Sequence, residues 1–196
     1  SISINVNQVK KSKINLEEQV RIKEELKKEG EKIIKYAKET QTPTILIVSR
    51  PYHIDPLINH KIPETIASFG INVLTEDGLD IDQSLADVQV LTQWSYPNKM
   101  FKAALWAAAQ KDLKLEVIQI NSFGCGPDAT TSDEIKSILN SYGKNPTLIK
   151  VDEISSPGSI RLRIRSMIES MKMKGWYYIK KKHMKEGKVN ETKQEK

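Results

Sequence analysis

The only cysteine of this 196-residue chain, Cys125, stands between two glycines in Asn121-Ser-Phe-Gly-Cys-Gly-Pro-Asp128. The apolar run from Leu115 to Ile120 before it reads as a buried strand. Thr131-Ser-Asp-Glu134 after it has the spacing of a capping box and reads as a helix start, with Asp128 as a loop-to-helix cap. Gly124 and Gly126 allow positive φ and would let backbone N–H groups point at the sulfur. Such donors, together with a helix N-terminus, favour the thiolate, and a thiolate is what iron or an electrophile needs. An inert half-buried cysteine, or glycines required only by the turn, is the competing reading. One thiol builds no metal site alone, so the sequence is expected to work as part of something larger.

A second group follows an earlier strand-like run, Thr44 to Ser49. The loop Arg50-Pro-Tyr-His-Ile-Asp55 gathers Arg50, Tyr52, His53 and Asp55 where a strand ends and a helix begins. Anions are attracted to such a helix end. The loop lacks the glycines that wrap phosphates, so it is no phosphate loop. His53 and His60 form only a weak metal pattern without a third firm ligand, and a hydrogen-bonded or substrate-orienting role suits them better. Thr92-Gln-Trp-Ser-Tyr-Pro-Asn98 is a third group. Its Trp94 and Tyr96 either line a cleft or interface, or cover a sheet edge. Arg161 and Arg165 share a helix face and would clamp a phosphate-rich ligand or pair with Asp152 and Glu153.

The elements that must position these residues alternate. A charged helix over about 16–38, with a thin apolar stripe, is expected to end at Thr42-Pro43. Gly30 interrupts it at a cost of ~1 kcal/mol relative to Ala. Asp55-Pro56 reads as a helix start. Leu57, Ile58, Ile62, Ile66 and Phe69 give that helix its sheet-facing side, and Gly70 its end. A short strand at 71–75, a helix from Asn98 to Gln110 and the strand at 115–120 follow. A helix from Glu134 to Tyr142, a strand at 146–151 and a helix opened by Ser156-Pro157 complete the body. Strands separated by helices imply an α/β fold, a small mainly parallel sheet with helices on both faces, Rossmann-like or flavodoxin-like. The expected division is a helical arm over 1–42, an α/β domain over 43–175 and a basic tail over 176–196.

Charge follows that division. The arm carries ten basic and seven acidic groups, and residues 172–196 carry nine lysines and three glutamates, whereas the stretch 41–171 has a net charge of −3. The basic excess therefore belongs to the ends. No basic stripe interleaved with aromatics marks the body, so no nucleic-acid partner is expected. No run reaches the ~20 apolar residues of a membrane span, so no membrane partner is expected. No signal peptide is expected either, and a single cysteine fits a reducing, cytoplasmic setting.

Four stretches occurring in order carry a family resemblance: Ser49-Arg-Pro-Tyr-His-Ile-Asp-Pro-Leu-Ile-Asn-His60, Gln93-Trp-Ser-Tyr-Pro-Asn98, the Cys125 loop, and Ile149-Lys-Val-Asp-Glu-Ile154 with Arg161-Leu-Arg-Ile-Arg165. They resemble the activase-related proteins of the 2-hydroxyacyl-CoA dehydratase and benzoyl-CoA reductase superfamily. The resemblance covers about residues 44–172, without the arm or the tail. It implies a flavodoxin-like dehydratase-like domain. It further implies an iron–sulfur cluster held by cysteines from separate loops and fed by an ATP-driven activator, which passes a low-potential electron to an acyl-CoA. On that basis Cys125 is a cluster ligand with Gly124 and Gly126 beside it. Arg50, Tyr52, His53, Gln93, Trp94, Tyr96 and Asn98 are residues of a substrate cleft. A cubane cluster needs three or four thiolates and this chain supplies one, so the remaining cysteines would lie outside it, on other modules or partner subunits. The isolated domain is then expected to hold no cluster and to be inactive alone. The competing expectation is a non-catalytic docking domain that positions neighbouring modules. Plain nucleotide binding lacks its glycine fingerprint.

Overall fold

The structure is a computed structural model and describes residues 6–86, 88–90, 94–151 and 156–176. It contains a four-stranded, wholly parallel sheet in the order β2-β1-β3-β4. The strands are β1 (Thr44–Val48), β2 (Asn72–Thr75), β3 (Leu115–Ser122) and β4 (Thr147–Val151). The helices are α1 (Val6–Thr40), α2 (Ile62–Ser68), α3 (Ser95–Ala109), α4 (Gly126–Ser141) and α5 (Pro157–Met173).

Period-two alternation along β1 explains why both faces are covered. Leu46 and Val48 point to one side, with Leu74, Leu115 and Val117, where Ala37 of α1, Phe101 and Ala104 of α3, and Ile135 and Leu139 of α4 pack. Ile45 and Ile47 point to the other, with Ile118, Ile120 and Ile149, against Ile62 and Ile66 of α2 and Ile164 and Ile168 of α5. Burial of each such isoleucine contributes about 2 kcal/mol. The expected α/β fold with helices on both faces is what forms.

Three expected boundaries change, each for a local reason. No helix starts at Asp55-Pro56. The chain makes a short 3-10 turn at Pro51–Ile54 and reaches α2 only at Ile62. Pro63 decides this, because inside a longer helix its ring would clash with the preceding turn, whereas in the first turn its missing N–H costs nothing. Leu57 and Ile58 are consequently exposed rather than facing the sheet, and Asp55 accepts the Leu57 N–H at 2.8 Å.

Helix α4 starts at Gly126 with Cys125 as its N-cap residue, not near Thr131. Pro127 sits in its first turn, where proline is favoured. Thr131 Oγ1 donates back to the Pro127 carbonyl at 2.8 Å instead of capping. Gly124 takes the left-handed φ of 73° that the turn requires, but Gly126 is helical.

The charged helix is also longer than expected, and Gly30 is not a weak point in it. A Cβ at Gly30 would stand 1.7 Å from the carbonyl oxygen of Gly78, in the turn that follows β2. The glycine is where α1 lies directly on that turn, and Ile33, Ile34 and Ala37 carry the contact into the core.

Candidate functional site

In a parallel sheet of this order the strand sequence reverses between β1 and β3, and the loops leaving their carboxyl ends diverge to opposite faces. The crevice left there is where the two main candidate segments meet. The loop after β1 supplies Arg50, Tyr52 and His53. The last residue of β3 is Ser122, the loop after it supplies Cys125, and the first turn of α4 supplies Asp128.

Asp128 is the centre of the cluster. It is 2% exposed. One carboxylate oxygen is ion-paired with Arg50 Nε, and the other accepts the Ser122 N–H at 3.1 Å. Its place at a helix N-terminus suits a negative charge. Burial draws the Arg50 pKa down, but the hydrogen bond and charge of Asp128 outweigh it and leave it raised. Arg50 is thus tied to α4 and holds the two loops together.

His53 is buried and uses both ring nitrogens. The Arg50 N–H donates to Nδ1 at 3.3 Å, which assigns the proton to Nε2. Nε2 then donates to Ser122 Oγ at 3.1 Å, and the Tyr52 hydroxyl shares the same oxygen at 2.9 Å. Burial, aided by the Arg50 charge and opposed by Asp128, lowers the His53 pKa, so the ring is neutral at pH 7. This tautomer runs opposite to a serine nucleophile with its base, where Nε2 must accept. The arrangement orients a Tyr–Ser–His group; it does not activate Ser122. Asn59 fixes the loop from below, donating to the His53 carbonyl at 2.9 Å.

Cys125 is half-buried at the start of α4. It lines an open cleft of about 390 Å³ with Asn121, Ser122, Asp133, Leu148 and Lys150. Asn121 is buried and donates to Ser132 Oγ and to the Asp128 carbonyl, while its Oδ1 has no partner among the described residues. A second cleft, of about 440 Å³, lies on the other side of the same helix turn, between Trp94, Pro97, Phe101 and Pro127.

The remaining expected cleft residues are distributed around this edge. Trp94 and Tyr96 are exposed at the start of α3, and Asn98 lies in its first turn, half-buried. Gln93 lies outside the described residues, as do Asp152 and Glu153. Cys125, Arg50 and Tyr96 therefore share the carboxyl edge, but Trp94 borders the second cleft and not the Cys125 cleft. Tyr52, Ile54, Leu57, Trp94, Tyr96 and Phe123 give that edge a rim of exposed apolar side chains.

The pairing of Asp128, the role of Ser122 and the burial of Glu76 go beyond what the residue pattern shows. Asp128 was legible as a cap but not as the Arg50 partner. Pro127, a first-turn proline, was the available sign that the helix began beside Cys125. Ser122 gave no sign, since 69 residues separate it from His53. Glu76, at the end of β2, also gave none. It is 6% exposed and accepts the Ser49 N–H at 3.3 Å through Oε1, and its Oε2 has no partner among the described residues. Burial, with the Asp77 charge adding to it, pushes its pKa up to about 7.

Residues 4–79 match the family model described as the CoA enzyme activase uncharacterised domain (DUF2229). The match is consistent with an activase-related, dehydratase-like domain. It contains the Ser49–His60 motif with Arg50, Tyr52 and His53. It also starts at residue 4, so α1 belongs to the matched region rather than lying outside the resemblance. No curated protein and no solved structure matches the chain. No helix among the described residues is long and apolar enough to cross a membrane.

Proposed function

We propose that this chain is the dehydratase-like domain of an activase-related iron–sulfur protein. Cys125 supplies one ligand to a cluster completed by cysteines outside this chain. The observation that carries the reading is the position of Cys125: half-buried, at the start of α4, beside the β1/β3 crossing and open to a cleft. The chain does not fit a cluster unaided. It has one cysteine, and the described residues contain no group of three or more His, Cys, Asp or Glu able to hold a metal ion. A cubane needs three or four thiolates.

When bound, the cluster would supply low-potential electron transfer to an acyl-CoA-type substrate, with an ATP-driven activator as electron source. This chain's own contribution is positional. Asp128 and Arg50 lock the two loops, and Ser122 with His53 and Tyr52 fixes one wall beside Cys125. The exposed apolar rim favours a second role at the same edge: docking the module that brings the other cysteines. A solely structural, non-catalytic docking domain would use the rim without Cys125.

The test is anaerobic reconstitution with iron and sulfide of a longer parent polypeptide, or of this chain with its partner subunit, comparing wild type with Cys125→Ala. Bound iron and an EPR signal in wild type, with iron lost or the signal altered in the variant, is the expected result. An unchanged cluster in Cys125→Ala would leave docking as the domain's role and end the ligand proposal.

A further inference from the structure

Away from the Cys125 cleft, a groove of about 380 Å³ runs between α2 and α5. Its described lining has one sign of charge. Arg161 and Arg165, both exposed, enter it from successive turns of α5, and none of the described residues that line it is a carboxylate. Neither arginine is ion-paired with a described residue, although the body around them has a net negative charge. Across the groove, α2 presents the hydroxyls of Thr65 and Ser68. Both hydroxyls donate to helix carbonyls and keep oxygen lone pairs free. Phe69 and Leu162 add an apolar portion to the same lining.

We propose that this groove is a binding site for a phosphate ester, a dianionic phosphate attached to an apolar or planar group. Arginines four residues apart stand ~5–6 Å from each other at Cβ, a span that lets two guanidinium forks share one phosphate. Arginine suits the task better than lysine, because its planar fork matches phosphate oxygens in pairs. The hydroxyls of Thr65 and Ser68 reorient to donate to a third oxygen, and the ester's organic group covers Phe69 and Leu162. The volume falls in the usual range of small-molecule sites, ~300–1,000 Å³. The site stands independently of the cluster proposal, since none of its residues belongs to the Cys125 cleft.

The test is an NMR titration of the full chain at low salt, with phenyl phosphate and inorganic phosphate as the two probes. Backbone amides of Ser68, Phe69 and Gly158 report binding, Gly158 opening the groove at the start of α5. Saturable shifts are expected with both, and the phenyl ester should bind several-fold tighter. Arg161→Gln with Arg165→Gln should weaken binding at least about tenfold. Arg163→Gln, on the same helix but outside the groove, should leave it unchanged. Added salt should weaken it. Absence of saturable shifts, or equal weakening by Arg163→Gln, would overturn the site. Inorganic phosphate binding as tightly as the ester would overturn the assignment to an ester. The variants change exposed side chains, and their circular dichroism should match wild type.

Discussion

The carboxyl edge of the sheet buries one carboxylate at the β1/β3 crossing and another at the end of β2, and the surroundings of the two differ. Asp128 has Arg50 on one oxygen and the Ser122 N–H on the other. Glu76 has backbone N–H groups and no cation bonded to it among the described residues, and the cation nearby, Lys99 of α3, is bonded to Asp77 instead. The two are buried to a similar degree. Partner supply therefore separates them: a fully matched buried charge can lock two loops, whereas an under-matched one takes up a proton near neutrality. The surroundings follow the same division. The Asp128 corner is a polar network beside an open cleft. The Glu76 corner is closed by α1, which lays Gly30 on Gly78 and joins Lys27 to Asp80 at 2.6 Å.

The largest expected effect breaks the matched corner. Asp128→Ala leaves Arg50 without its counter-charge and Ser122 without its acceptor. Removing one partner of a buried pair costs ~3–5 kcal/mol, and Arg50's partial exposure places this case near ~3 kcal/mol. Urea unfolding of the variant should show it, and a loss under ~1 kcal/mol would mean that Asp128 does not lock the loops.

The unmatched corner should respond with the opposite sign. The folded Glu76 pKa, about 7, lies above its ordinary 4.5. Its contribution to stability is therefore complete below pH 4.5 and is lost as pH rises through 7. Glu76→Gln keeps an acceptor for Ser49 and removes the charge. Thermal unfolding should show little change at pH 4.5 and a gain approaching ~3 kcal/mol at pH 8. An effect independent of pH would show that Glu76 does not titrate near neutrality.

The third prediction concerns how the closed corner is built. By helix propensity alone, Gly30→Ala should stabilise α1 by ~1 kcal/mol. Against the Gly78 carbonyl it should instead destabilise by ~1–3 kcal/mol, as overpacking does. Gly78→Ala is the control. Its Cβ would meet its nearest neighbour at 3.5 Å, an ordinary contact, and its backbone lies outside the left-handed region. Denaturation midpoints that move together, or a stabilised Gly30→Ala, would contradict direct packing of α1 on the turn.

Much of this was legible in the residues themselves. The β-branched-rich run at 44–48 and the mainly apolar run at 115–120, whose Glu116 and Gln119 do not alternate with period two, are separated by amphipathic helices and specify a parallel sheet buried on both faces, because a strand without polar alternation has no solvent side. Single residues of fixed conformational meaning were legible too: Gly70 at the end of α2, and Ser156 before Pro157 at the start of α5, where Ser156 Oγ accepts the Gly158 N–H. Pro63 and Pro127 carried equally firm information, and reading past them displaced two helix starts. That Arg50 and Cys125 would each stand just after a strand followed from the runs that precede them.

The sequence by itself determined the order of strands and helices, the apolar faces that join them and the edge at which the reactive side chains collect. Only the tertiary structure decided that Asp128 belongs to Arg50, that His53 donates to Ser122, and that Gly30 is a contact rather than a flaw. The physical reason is range. Periodicity, caps and proline act over a few residues, and are written locally. Pairings across 69 or 78 residues depend on strand register and on which loops the sheet order brings side by side, and no local pattern encodes those.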